Sequence, residues 1–424
     1  MTSLVTRALV AAGHEVTVVR AESPHLLARE AHDFHAAAIP WTESNVVADL
    51  ATQADSIIYQ IGNSFEMHQG CLDWIGKLPG TVCLHDFYLG HLFYEWAQAH
   101  RDLADEAIRT WYGEEVQTRF FSHSNGEDFL EDTRDAAPMT EWICSLARGV
   151  ITHSSWAISR VLSSCPGPVH VVPLAYDAPQ HLAAPGNMDH EAFRILTIGH
   201  VNPNKRIGSV VQAIGDSALL RERAVYHVVG KIQPETEAEL TALAERHSVR
   251  LVMSGEVDDN TLAQAVRQSD VISCLRWPSL EAASASAIEA MLYGKPIIVT
   301  DTGFYSEIPD FCAMKIDPYT EVANIRSALE ALCTDQGLRA RLGDEAHRWA
   351  NDTFRADKYA QRLVEVAIQA RQTGPVASAV NYIFDQMSRW GGTNSLLRLN
   401  CTTEPLQSLC DRMTPGSQLS NPMS

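Results

Sequence analysis

Short apolar runs rich in β-branched residues alternate along this chain with stretches whose apolar positions recur at helical spacing. Leu4 to Ala12 read as a helix that ends at Gly13, and His14 to Val19 follow as a strand. Further buried strands are predicted at Ser56–Gln60, Thr81–Leu84, Gly149–Thr152 and Val169–Val172, with helical patterns between them. Such alternation predicts a parallel sheet covered on both faces.

Pro173 and the segment from Asp177 to Asn187, with Pro179, Pro185 and Gly186, interrupt the pattern as a linker would. A second series then begins. Its strands are Phe193–Ile198, Ala224–Val229, Val249–Met253, Asp270–Ser273 and Ile297–Thr300, and its helices fall near Ile207–Ala213, Glu235–Arg246 and Asn260–Gln268. Leu329 to Arg371 read as mostly helical, whereas periodicity weakens from Gly374. The expected organisation is a first domain over 1–176, a linker over 177–190 and a second domain over 191–355. C-terminal helices over 356–410, a candidate to pack back on the first domain, and a disordered tail over 411–424 complete it. Two doubly wound α/β domains would face each other across a cleft. Ligands of such sheets bind at the carboxyl ends of the strands, so the cleft is the expected site.

Composition narrows the partners. The chain has 424 residues, 46% hydrophobic and 20% charged, with a formal charge of −19. That balance disfavours nucleic acid and anionic membrane surfaces, which attract basic patches, but leaves room for a small phosphorylated ligand at a local positive site. Nine cysteines are scattered without a CxxC pair and read as reduced thiols of a cytoplasmic protein. No run approaches the roughly 18 apolar residues of a membrane span.

The most informative stretch is Trp277-Pro-Ser-Leu-Glu281-Ala-Ala-Ser-Ala-Ser-Ala-Ile-Glu289-Ala-Met-Leu-Tyr-Gly294-Lys-Pro296, followed by the strand Ile297–Thr300. At about 100° per residue, the two glutamates would stand roughly 80° apart on a continuous helix. The better reading puts Glu281 on a loop and Glu289 at the opening of a helix, with Ala282, Ala283, Ser284, Ala285 and Ser286 between them. Unpaired N–H groups of a helix N-terminus beside a carboxylate can hold an anion and read hydroxyl groups.

Four features in the second half occur in order. Gly199-His-Val-Asn-Pro-Asn-Lys205 follows the first strand, Val229-Gly230-Lys231 ends the second, and Ser254-Gly255-Glu256-Val257 ends the third. The Glu281…Glu289 pair then precedes Gly294-Lys-Pro and Asp301-Thr-Gly303-Phe-Tyr-Ser-Glu307-Ile-Pro309-Asp310. Together they resemble a retaining glycosyltransferase of the GT-B fold, similar to family 4 of those enzymes. The first half agrees more loosely, through Tyr59-Gln-Ile-Gly62-Asn63-Ser, Leu84-His85-Asp86 and Thr152-His153-Ser154-Ser155.

The resemblance implies a nucleoside diphosphate sugar as co-substrate, with no other cofactor and no catalytic metal. Its acceptor would be a glycan, a lipid-linked glycan or a small molecule. By resemblance, Lys205 would hold the diphosphate, and the family's partner arginine would be matched by His200, or by Arg206 in a changed register. Composition alone allows Lys205 to be an exposed loop lysine. Glu281 would face the sugar hydroxyls, with the backbone of Ala282, Ala283, Ser284 and Ala285 on the sugar or β-phosphate. Many relatives have Gly where Ala282 stands. Glu289 would bond both ribose hydroxyls, since an ionised carboxylate only accepts; as a helix N-terminal acid it would also favour the dipole. Gly199 and Gly230 would line the donor, and Gly255 to Val257 the base edge.

Two readings stand level for His85: a hydrogen bond to sugar or acceptor, or a structural pair with Asp86. Asn63, Ser64, His68 and Tyr88 are candidate acceptor residues, as are His91, Tyr94 and Trp96, although Leu92, Phe93 and Trp96 fit a core-facing helix better. Asp258-Asp259 fits a helix N-cap better than a metal motif. The implied reaction is transfer of a hexose with retention, by front-face substitution, in polysaccharide or natural-product glycosylation. Its expected location is cytoplasmic, with peripheral contact at the inner membrane face as an alternative.

In GT-B proteins a first strand and a Gly-rich turn precede the opening helix; the sequence as given opens within that helix, so either its start is truncated or misassigned, or the first sheet is expected to lack that strand. That feature and His200 fit a second reading, a catalytically impaired donor-binding homologue acting as a partner subunit. A third, a GT-B epimerase acting on the nucleotide sugar, fits the Glu281…Glu289 frame less well.

Overall fold

The computed structural model describes residues 1–177, 192–391 and 399–413. Among the described residues, twelve strands fall in three parallel sheets, and β1 (Thr17–Arg20) pairs with β2 (Ala37–Pro40) alone. β3 (Ile58–Ile61), β4 (Thr81–Leu84), β5 (Gly149–Thr152) and β6 (Val169–Val171) form a four-stranded sheet in that order. The remaining six are β7 (Phe193–Ile198), β8 (Ala224–Val229), β9 (Leu251–Met253), β10 (Val271–Cys274), β11 (Ile297–Thr300) and β12 (Ala313–Ile316). Their order across the sheet is β12-β11-β10-β7-β8-β9.

Successive residues of a strand point to opposite faces, and both faces here are buried. In the six-stranded sheet, Ile195, Val271 and Ile298 pack into one apolar layer, while their neighbours Leu196, Ile272 and Ile297 pack into the other. In the four-stranded sheet, Val82, Leu84 and Val150 face one layer and Cys83 and Ile151 the other. The second of these layers is closed by helix Ala356–Arg389, through Tyr359, Leu363 and Val366, and by Val5 and Leu9 of helix Thr2–Ala11.

The strand order places the site. From β7 the chain winds outward through β8 and β9, then returns to the other side of β7 as β10. β7 and β10 are therefore neighbours, with Leu196 opposite Ile272, whose following loops leave in opposite directions. A crevice opens at the carboxyl ends of such a pair. Gly199 to Lys205 leave from β7, and Leu275 to Ser284 leave from β10.

Several expectations need correction. The first half is not one sheet: β1 and β2 stand apart from β3–β6, and the far end of β1 is tied instead to helix Phe65–Ile75, Gly70 N–H donating to Ala21 at 2.8 Å. β2, whose Ala-Ala-Ile-Pro carries little β signal, and β12 escaped the pattern analysis. Leu329 to Arg371 are mostly helical, as expected, with a break where Asp335 caps the helix Gln336–Thr353 by accepting from Leu338 N–H. Weak periodicity after Gly374 does not end the last long helix, which continues through Pro375 to Arg389; Val376 is its last buried side chain among the described residues. Residues 411–413, expected in the tail, close the helix Asn400–Met413. The rest of that tail, and the expected linker beyond Asp177, lie outside the described residues.

Candidate active site

The loop after β10 crosses to the first half of the chain. Ala282 N–H donates to His85 carbonyl at 2.8 Å, and Phe87 and Tyr88 N–H both donate to Leu280 carbonyl, at 2.8 and 3.1 Å. Asp86 and Glu281 thus form an antiparallel bridge that stitches the two walls together. A second stitch lies beside it: Glu307 accepts from Ser155 hydroxyl at 2.8 Å and from Trp156 N–H at 2.9 Å.

Glu281 sits on this seam, on a loop as expected. Its Oε1 accepts from the Tyr305 hydroxyl and lies 3.4 Å from Arg276 Nε. The helix after it runs Ala285–Leu292, with Ser284 as N-cap. Glu289 therefore lies in its second turn and does not open it. The dipole explanation for this carboxylate falls, because that effect fades within the first turn. Glu289 Oε2 accepts from Tyr176 hydroxyl at 3.1 Å, and burial raises its pKa above the usual range. Tyr176 also lines a cavity of about 470 Å³, together with Arg7, Phe354 and Arg355, to one side of these carboxylates. Of the small-residue backbone, Ala282 N–H is already bonded across the seam. The first-turn N–H groups at Ala285 and Ser286 lack intrahelical acceptors and stay available.

Lys205 closes a one-turn 3₁₀ helix, Pro203–Lys205, and is 3% exposed, so it is not a solvated loop lysine. Its ammonium donates to Ile198 carbonyl at the end of β7. Burial, then repulsion from Arg276, pushes its pKa down to about 7. The backbone requires glycine around it. A Cβ on Gly230, at φ +149°, would meet Gly199 carbonyl oxygen at 2.3 Å, and one on Gly199, at φ +92°, would meet Lys205 Nζ at 2.9 Å. Gly230 N–H in turn donates to Gly255 carbonyl at 2.8 Å, which draws the three strand-end turns together. Val257 packs with Ala283 and Tyr176 against the same apolar layer.

Of the two sequence candidates for a second cation, His200 is exposed on the loop that leaves β7. Arg206 is turned away, its Nε 3.0 Å from both Glu321 oxygens and its Nη2 at 2.8 Å. Because Glu321 is 6% exposed, Arg206→Met is expected to cost roughly 2 kcal/mol, below the usual range for a fully buried pair since Arg206 is partly solvated. Turnover per folded molecule should not change; denaturant melts alongside the activity assay would check both. The cation that does stand in the crevice is Arg276, two residues beyond β10, which the motif comparison passed over. An arginine two residues past the end of a buried strand was the available signal.

On the facing wall, His85 does not pair with Asp86. Its Nε2 meets Gln60 at 2.7 Å and its Nδ1 meets His153 Nε2 at 3.1 Å, while His153 Nδ1 meets Val172 carbonyl at 3.0 Å. Burial holds both rings neutral, the second near pKa 4. His153 Nδ1–H then donates to the carbonyl and His85 Nδ1–H donates to His153, so His85 Nε2 is an acceptor and the Gln60 amide, whose Oε1 is placed toward it, must present its NH2 there instead. Asp86 instead accepts from Asn63 N–H at 2.7 Å, and burial, with Glu281 nearby, raises its pKa to about 7. His68 Nε2 belongs to this floor: a Cβ on Gly62 would lie 2.9 Å from Asp86 Oδ2 and 3.2 Å from His68 Nε2.

Two expected acceptor residues are structural. Asn63 Oδ1 accepts from Leu92 N–H at 3.0 Å and its amide meets His91 at 3.1 Å, fixing the helix Gly90–Ala97. Tyr88 is 1% exposed and bonds Thr133 at 2.7 Å. Leu92 and Phe93 are core, as expected, and Trp96 packs against that core. Ser64 is part-exposed at the N-cap of helix Phe65–Ile75. Asp258 caps its helix by accepting from Thr261 N–H at 2.8 Å, as expected.

Residues 182–349 match the family described as glycosyl transferases group 1. No curated protein matches the chain. Among solved structures, sucrose-phosphate synthase from Thermosynechococcus elongatus superposes with a TM-score of 0.61 at 16% identity, over 86% of this chain and 91% of that one. HepE of Anabaena in complex with UDP and glucose gives 0.55 at 14% identity, over 86% and 95%. WaaG, a glycosyltransferase involved in lipopolysaccharide biosynthesis, gives 0.53 at 15% identity, over 86% and 94%. At these identities the superpositions establish the fold, and that fold is GT-B.

Proposed function

We propose that this chain, a glycosyltransferase with a group 1 domain in a GT-B fold, moves a hexose from a nucleoside diphosphate sugar to an acceptor hydroxyl with retention and without a metal. The observation that carries the reading is Glu281 held on the seam between both walls, beside a buried Lys205 at the switch point of the larger sheet.

The roles follow from what each group can do. Developing negative charge on the leaving diphosphate needs fixed cations and N–H donors, which Lys205 and the first turn of helix Ala285–Leu292 supply. Glu281 accepts from sugar hydroxyls. Glu289 accepts from the ribose diol once Tyr176 yields it. Gly255 and Val257 line the base. His85 brings no charge to the seam: both nitrogens of its neutral ring are engaged by Gln60 and His153, and its carbonyl holds Ala282 N–H. In the front-face route the acceptor oxygen bonds to the anomeric carbon as the bond from that carbon to the phosphate oxygen breaks. The departing diphosphate takes the acceptor's proton.

The fold neighbours support a nucleotide-sugar donor by chemistry alone, one of them being a complex with UDP and glucose. No helix among the described residues is long and apolar enough to cross a membrane. The acceptor is proposed to be a glycan, a lipid-linked glycan or a small natural product, met in the cytoplasm or at the inner membrane face. The test is release of nucleoside diphosphate from a panel of nucleotide hexoses with simple glycoside acceptors, the product's anomeric configuration read by NMR. A retained configuration is expected. An inverted product would overturn the mechanism, and nucleotide binding without turnover would favour a non-catalytic partner subunit.

A further inference from the structure

We infer that Arg276 is the second cation on the donor diphosphate, a role that Arg206, held by Glu321, is not placed to fill. The inference rests on the donor-site reading above and adds a residue to it.

The local geometry sets Arg276 where a diphosphate would lie. Its backbone N–H donates to Thr300 Oγ1 at 3.0 Å, and the next N–H, of Trp277, donates to Asn204 carbonyl at 2.8 Å. The residue is thereby fixed between the end of β11 and the turn that carries Lys205. The side chain is 7% exposed, and Nη1 donates to Leu275 carbonyl at 2.8 Å, while Nε lies 3.4 Å from Glu281. Nη2 makes no hydrogen bond among the described residues, yet it is not sealed from solvent. A guanidinium carries five donors in a planar fork that suits phosphate oxygens. This one has donors left over at the place where an anion is needed.

Charge gives the second argument. Arg206 has its own carboxylate, Glu321. Among the described residues, Glu281 is the one carboxylate within reach of both Arg276 and Lys205. Two buried cations against one carboxylate are poorly compensated unless an anion completes the site. This local excess of positive charge stands in a chain whose formal charge is −19. Anion binding relieves the mutual repulsion of the two cations. Lys205 also regains its proton at neutral pH.

The experiment compares a nucleoside diphosphate with its own nucleoside. Wild type is titrated with UDP, GDP, ADP and dTDP by calorimetry, and the tightest binder is carried forward with its nucleoside to Arg276→Met and Arg276→Lys. Losing a charge-assisted hydrogen bond predicts a diphosphate affinity lower by about 10- to 100-fold in Arg276→Met, with nucleoside affinity within about threefold. The lysine variant should recover part of the loss and guards against failure of the methionine variant to fold. Equal loss of diphosphate and nucleoside would make Arg276 a scaffold residue and overturn the inference. Unchanged diphosphate binding in Arg276→Met would also overturn it. Failure of wild type to bind any of the four would sink the donor-site reading itself, and this inference with it.

Discussion

Glu281→Gln lowers transfer by about two to three orders of magnitude in kcat, with nucleoside diphosphate affinity within about threefold of wild type. The size follows from where the carboxylate stands. Glu281 is oriented by the Tyr305 hydroxyl and by Arg276, on a loop whose backbone is bonded to the facing wall on both sides of it. Its charge bears on the sugar, where positive charge grows as the leaving group departs. The amide keeps the volume and can still accept from Tyr305, so the fold should survive and the effect should appear in kcat. Steady-state kinetics on the donor would separate the cases. A rise in KM with kcat unchanged would demote Glu281 to ground-state binding.

Lys205→Met should cost a comparable two to three orders of magnitude in kcat/KM, and here nucleotide binding should suffer as well. The wild-type pH dependence carries the sign of the lysine's displacement. Burial, then Arg276, lowers the ammonium to about 7, so the free protein holds its positive charge below that pH and loses it above. Diphosphate affinity should be full below pH 7 and fall by up to about tenfold per unit above it, until the pKa of the complex is passed. Stability moves the other way. Between about 7 and the unperturbed 10.5, the unfolded chain keeps a proton that the folded lysine has released. Wild type should therefore gain stability with rising pH in that window, and Lys205→Met should not. Calorimetric titration and denaturant melts from pH 6 to 10 would check both slopes.

The backbone placement of several candidate residues is legible in the sequence. The loop placement of Glu281 follows from an eight-residue offset that a single helix face cannot accommodate. The Gly199, Gly230 and Gly255 turns announce themselves because each ends a β-branched run, and two of them approach so closely that a side chain cannot fit. What stayed hidden depends on partners distant in sequence. Asn63 and Tyr88 look like acceptor residues because they follow strand ends, but Leu92 and Thr133 claim their polar atoms. Arg206 is disqualified only by Glu321, 115 residues away. His85 next to Asp86 suggests an ion pair; the backbone instead turns the ring toward Gln60 and His153 and the carboxylate toward Asn63. Strand patterns fail where residues are small or polar, as in β2. They also cannot say that β1 and β3 belong to different sheets, since the hydrogen bonds that decide it lie between chains of residues and not along them.

The central claim is that a nucleoside diphosphate sugar binds at the switch point between β7 and β10, against the seam made by His85 to Tyr88. Amide hydrogen exchange, measured with and without saturating nucleotide sugar, tests it most directly. The account predicts added protection in four segments, 199–206, 254–258, 275–293 and 84–88, with the remaining peptides unchanged. Protection confined to the cavity around Arg7, Tyr176 and Arg355, or absent from all four segments, would contradict it.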